Sequence, residues 1–164
     1  MRALHAWKYM PSYRLGASFG SKSRSGSATR GIAYHRKVYR QLEALAADGD
    51  GTLLVEPWFQ RIDDCASRTM CQPDAVIHYE DERSALVVEV KMNWKAERDE
   101  KLLSLYLPVV RSALNLEVVW PVVIVGCLRG GRGPKGPKPL LGLNQLDQCL
   151  AWQPADPVPL LLLP

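Results

Sequence analysis

"CQPDAVIHYEDERSALVVEVKMNW" (residues 71–94) holds two apolar runs on either side of a short charged knot. The runs read as strands and "DER" (81–83) as the tight turn between them. Each run carries charge where a buried strand does not favour it: Asp74 opens the first, and Glu89 and Lys91 lie inside the second. Folding the runs about a turn centred near Asp81, or between Glu82 and Arg83, sets Asp74 opposite Glu89 or Lys91. Directly opposed residues share a face. Glu89 and Lys91 share one because they are two apart. Strand parity alone therefore gathers two carboxylates and an ammonium at one end of a hairpin.

Two carboxylates that close repel each other unless a cation lies between them. Their oxygens suit Mg²⁺ (or Mn²⁺), which takes one or two carboxylates plus waters and substrate phosphate. The main-chain carbonyl of Val90 is a further oxygen, and Lys91 stands ready to orient or deprotonate a water. A metal there lowers the pKa of that water and neutralises charge at a scissile phosphate, so the pattern fits phosphodiester hydrolysis. The plainer alternative is a salt-bridged solvent face. Two features favour the site: the run around Glu89, "ALVVEV", is otherwise apolar, and Asp74 follows Pro73 at a strand start, where a side chain can be aimed at a sheet edge.

Outward from the hairpin, "TRGIAYHRKVYRQLEALAA" (29–47) has helical spacing through Ile32, His35 or Tyr39, Leu42 and Leu45, and "DGDG" stops it. "TLLVEPWFQRID" (52–63) reads as one strand, with Pro57 implying an edge or a bulge, and "MCQPDAVIHYE" (70–80) as the next. "KAERDEKLLSLYLPVVRSAL" (95–114) is helical, with a face of Leu102, Leu105, Val109 and Ala113 and a kink expected at Pro108. "LEVVWPVVIVGCL" (116–128) is apolar throughout and so central in a sheet. "RGGRGPKGPKP" (129–139) is a basic loop, "LNQLDQCLAW" (143–152) a short helix and "PVPLLLLP" (157–164) a last strand or tail. The expected fold is an α/β sandwich: a helix, a three-strand meander, a helix and a fourth strand, with a mixed central sheet.

The charge is placed unevenly. Nine basic residues precede the first acid, Glu43, among them Arg14, Lys22, Arg24, Arg30, Arg36, Lys37 and Arg40; after residue 42 the balance is 12 basic to 17 acidic. A basic front on a mildly acidic body points to a polyanion, most simply DNA; the bland reading is a solvated arm. Residues 1–28, with the Gly/Ser-rich "GASFGSKSRSGS" (16–27), read as that arm and 29–164 as the folded domain. Arg132 and Lys135 add charge in the later loop. "GRGPKG" (131–136) is no dinucleotide site, because Pro134 and Pro137 forbid the helix it needs. Four cysteines without CxxC spacing predict free cytosolic thiols. No run is long enough for a membrane span, and the first residues lack the apolar core of a secretory signal.

"PD" at 73–74, fifteen positions before "EVK" at 89–91, resembles the PD-(D/E)XK, or restriction-endonuclease-like, nuclease superfamily. The likeness extends to its small phage-encoded members, whose first helix looks like G-x-x-Y-E-R-K-V, whose strand carries QPD and whose second helix carries Q-L-x-x-L-Y-x-P. Here stand "GIAYHRKV" (31–38), "QPD" (72–74) and "KLLSLYLPV" (101–109). The resemblance covers about residues 30 to 130. It implies a Mg²⁺-dependent DNA endonuclease in which Asp74 and Glu89 hold the metal, Lys91 is catalytic, and Gln72 and Tyr106 position the substrate. His35 stands where the family usually has the helix glutamate, and Lys101 where glutamine is common. The alternative implied is a weakly active or inactive nuclease-fold protein that binds DNA or belongs to a phage virion. The host bacterial cytoplasm, virion proteins as partners of the arm, and a homodimer are further expectations of that likeness.

Overall fold

In a computed structural model of the chain, residues 6–13, 26–62, 67–93, 99–128 and 140–164 are described, the side chains of 26–28, Ile62 and Asp99 excepted. Arg14, Lys22, Arg24, Arg132, Lys135, Trp94 and Cys65 lie outside the described residues.

Helix α1 (Gly26–Asp48) starts earlier than its spacing predicts. Its buried stripe is Tyr34, Val38, Leu42 and Ala46, a strict i, i+4 row. His35 and Tyr39 sit beside that row, half-buried, rather than on it. The chain turns through Gly51 into β2 (Thr52–Val55).

The expected strands 52–63 and 70–80 are each broken in two. At Glu56–Pro57–Trp58 the first divides into β2 and β3 (Phe59–Ile62), and at Gln72–Pro73–Asp74 the second divides into β4 (Arg68–Cys71) and β5 (Ala75–Tyr79). Each break holds a proline, which has no N–H to give a ladder, and Glu56 takes a positive φ of 46°. The antiparallel pair these two strands form, a hairpin preceding the one that turns at 81–83, therefore leaves one sheet for another. β3 pairs with β4 on one side and with β1 (Lys8–Tyr9) on the other in a three-stranded sheet, while β2 and β5 stay in the main one. So part of the expected arm is docked: Trp7 and Tyr9 pack with the core that holds Phe59.

The main sheet has six strands in the order β2-β5-β6-β7-β9-β8, with β6 (Ser84–Asn93), β7 (Val118–Cys127), β8 (Leu140–Leu141) and β9 (Leu160–Leu162). The β2–β5 and β5–β6 pairs are antiparallel; β6–β7, β7–β9 and β8–β9 are parallel. The sheet is thus mixed and flanked by helices, with the helix, meander, helix and strand in the expected order. β7 is central, as its apolar run predicts. It tolerates Pro121 because β9 pairs only from Val123 onward, leaving the proline's missing donor without a strand to serve.

Alternation along β6 builds two cores. Leu86, Val88 and Val90 face α1 and the 3₁₀ helix Leu143–Ala151. Ala85 and Val87 face the second helical segment and Phe59. That segment runs as α2 (Asp99–Lys101), a π-turn (Leu102–Tyr106) and α3 (Leu107–Ala113). Its buried residues are Leu102, Tyr106, Leu107, Val109 and Val110, whereas Leu105 and Ala113 are only partly buried. The widened turn, in which the Leu107 N–H donates to the Leu102 carbonyl, leads directly into Pro108, which cannot donate and crowds the preceding turn. No helix among the described residues is long and apolar enough to cross a membrane.

Candidate active site

The hairpin turn spans Glu80 to Arg83, with Tyr79 paired to Ser84 and Ala75 to Val88. One step further along this register, Asp74 stands opposite Glu89. The ladder stops there because β5 stops. The next N–H that β6 aims at that edge, on Val90, donates instead to Asp74 Oδ2 at 2.7 Å. In such a ladder a residue's N–H and C=O point to the same edge, so the Val90 carbonyl faces the same gap. The Asp74 backbone is fixed from the other side, where its carbonyl accepts from the Glu56 N–H at 2.9 Å. The break in the hairpin, which strand periodicity does not reveal, is thus what frees Asp74 to turn across the strand end.

Glu89 and Lys91 share the β6 face that looks toward the π-turn. Lys91 Nζ is ion-paired with Glu89 Oε1, and the two side chains are 24% and 12% exposed. Burial, and next the charge of Asp74, push the Glu89 carboxyl above its ordinary pKa, against relief from Lys91 and Lys101. Lys101 is exposed and sits over the Tyr106 ring, 4.8 Å from its centroid. That contact pushes the Lys101 ammonium up, and burial pushes the Tyr106 phenol up. Burial also raises the nearby Cys71 thiol to about 11, so it is no ready nucleophile.

On the other side of Asp74 a groove of about 710 Å³ opens between α1 and the break in the hairpin. Gly31, His35, Arg36, Tyr39, Glu56 and Gln72 line it. His35 Nδ1 is 4.0 Å from Asp74 Oδ1 and 3.2 Å from the Tyr39 hydroxyl. Gln72 Nε2 donates to the Glu56 carbonyl at 2.9 Å, so it braces the break in the hairpin. A second hollow, lined by Arg36, Arg40 and Glu43, continues the groove along α1. Arg30 lies exposed on the same helix. Lys37 is turned elsewhere, its Nζ donating to the Pro164 carbonyl at 2.5 Å.

Asp74, Glu89, Lys91 and His35 thus come together, with Lys101 and Tyr106 on the far rim. Sequence reading missed Tyr39, whose hydroxyl contacts His35, and Glu56, which accepts from that hydroxyl, and placed Arg40 only in the basic front. Among the described residues no three His, Cys, Asp or Glu side chains converge as a metal-binding set. The fit to a cation rests on two carboxylates, one partly buried and strained by the other's charge, which is a donor set Mg²⁺ accepts.

No family model matches the chain, and no curated protein matches it significantly. Among solved structures it is similar to one described as "Structure of a Type III CRISPR defence DNA nuclease activated by cyclic oligoadenylate", at 18% identity and a TM-score of 0.45. The match covers 82% of this chain and 22% of that one, so the chain spans under a quarter of that protein's length.

Proposed function

We propose that the chain is a divalent-metal-dependent DNA endonuclease of the PD-(D/E)XK type that its motifs resemble. The observation that carries the reading is the meeting of Asp74, Glu89 and Lys91 at the end of the β5–β6 ladder, with the Asp74 carboxylate clamped by the Val90 N–H. Asp74 and Glu89 would hold Mg²⁺ or Mn²⁺, which when bound supplies Lewis acidity and a more acidic water. Lys91 is matched to a carboxylate, and an ammonium has donors but no acceptor. Its role is therefore to grip a phosphate oxygen rather than to take a proton. Arg36 and Arg40 flank the approach along α1, where the backbone of a DNA strand would lie.

The test is incubation with supercoiled and linear DNA in Mg²⁺, Mn²⁺ or EDTA, beside Lys91→Ala and Glu89→Ala. The expected result is metal-dependent nicking of the closed circle that both substitutions abolish. No cleavage under any metal sinks the enzyme reading; cleavage that survives both substitutions sinks the site.

A further inference from the structure

The three-stranded sheet has a face that neither core uses. Its register sets Gln60 between Lys8 and Met70. Residues so opposed share a face, and residues two apart along a strand share it too. Met10, Trp58 and Arg68 therefore join them on the side away from Phe59, which is buried in the core beneath. Among the described tryptophan, tyrosine and phenylalanine residues, Trp58 and Tyr13 are the two that pack against neither core. They pack on each other instead, edge to face, with ring centroids 5.3 Å apart. Backbone bonds bring them together: the Met10 N–H donates to the Trp58 carbonyl at 2.9 Å, and the Tyr13 N–H to the Met10 carbonyl at 3.1 Å. Lys8 and Arg68 lie exposed at opposite rims, and the face carries no acid among its described residues. It also continues the groove. One step past the pair Phe59 and Cys71, the register sets Gln72 opposite Trp58, and Gln72 lines the groove beside Asp74. Lone exposed hydrophobics are ordinary; rings beside cations, leading out of a groove, are what holds a single nucleic-acid strand.

We propose that this face is a track for a single strand of DNA, whose bases stack on Trp58 and whose phosphates meet Lys8 and Arg68. The strand runs on from the groove past Gln72. The substrate is then a duplex with a single-stranded overhang, its junction at the groove. That substrate class rests on the nuclease reading above; the track itself stands on the small sheet. A blunt duplex offers the cations its phosphates but keeps its base faces stacked on one another, so it gains nothing from Trp58. Tyr13 is a positioning residue that braces the indole.

The test is fluorescence anisotropy of the full chain in EDTA, where metal-dependent cleavage is off. The probes are end-labelled oligothymidine, a blunt duplex and the same duplex with an oligothymidine overhang. Trp58→Ala is expected to weaken oligothymidine binding roughly tenfold or more and the blunt duplex less, and Trp58→Phe to recover most of the loss. Lys8→Gln with Arg68→Gln, both exposed and so separable from folding, should lessen the slope of log K against log salt on oligothymidine by about 1.4, near 0.7 per phosphate. Oligothymidine binding that neither set of variants changes, or an equal loss on all three DNAs, overturns the track. So does a wild-type dimer that Trp58→Ala separates and oligothymidine does not, since the face then holds a second copy of the chain. If the binding results hold and no metal supports cleavage, the nuclease reading falls alone. If cleavage is seen and these variants bind as wild type does, the track falls alone.

Discussion

The backbone N–H of Val90 and the Asp74 carboxylate are joined at 2.7 Å, a side chain completing a ladder that the strand itself abandons. Asp74 thereby has a structural duty separable from its charge. Asp74→Asn keeps an acceptor for that N–H and is expected to fold with near wild-type stability while losing cleavage. Asp74→Ala leaves the donor unmet and should cost about 1–3 kcal/mol. Urea midpoints and nicking assays on both variants make the distinction.

Glu89 gives a pH signature. Its carboxyl is raised in the folded chain, so the folded state holds its proton more tightly than the unfolded one does. The stability linked to this proton is complete below the ordinary carboxyl pKa of about 4.3 and is lost as pH climbs through the raised value. Metal-free protein should weaken over that span and Glu89→Gln should flatten the loss. Mg²⁺ at neutral pH should restore wild type and leave the variant unmoved. Denaturation midpoints across pH, in EDTA and in Mg²⁺, check all three.

Arg36 and Arg40 lie one helical turn apart on the groove, a like-charge spacing that costs an isolated helix about 0.2–0.5 kcal/mol. Replacing both with glutamine should weaken DNA binding and lessen the slope of log K against log salt by about 1–2, near 0.9 per phosphate lost. Lys37→Gln should leave the slope unchanged, because that ammonium is spent on the Pro164 carbonyl. Filter binding over a salt series measures this.

Two glycines should respond oppositely to alanine. At Gly51 a Cβ would come within 2.9 Å of Ile77 and Tyr79 side-chain atoms, and the expected loss is about 1–3 kcal/mol. At Gly31, inside α1, nothing lies within 4 Å, and removing a helical glycine should add about 0.5–1 kcal/mol. Thermal or urea unfolding of Gly51→Ala and Gly31→Ala tests the pair.

The order of elements was legible because apolar periodicity and Gly/Pro punctuation are local signals. Parity set Asp74 opposite Glu89 or Lys91, and the register of the Glu80–Arg83 turn selects Glu89. The division of the hairpin between two sheets was not legible. Pro57 announced a disturbance in one strand and Pro73 a strand start at Asp74 in the other, but that the two breaks match becomes visible only once the strands are paired. His35 and Tyr39 were read as candidates for the apolar face, since spacing alone does not separate the buried i, i+4 row from its neighbour. Glu56 carries no pattern of its own. It matters because a positive φ turns it back toward Tyr39.

The π-turn at Leu102–Tyr106 makes the second helical segment one residue longer than an even helix between the same ends would be. Removing a residue there, Ser104 for example, would restore regular winding with both flanks kept in place, and Lys101 and Tyr106 would then stand four apart on one helix face. The same deletion within α3 would turn the residues beyond it by about 100° and carry buried side chains out of the core. The helix beside the site is therefore buffered against a change of chain length at the π-turn, where a single-codon deletion is expected to be tolerated.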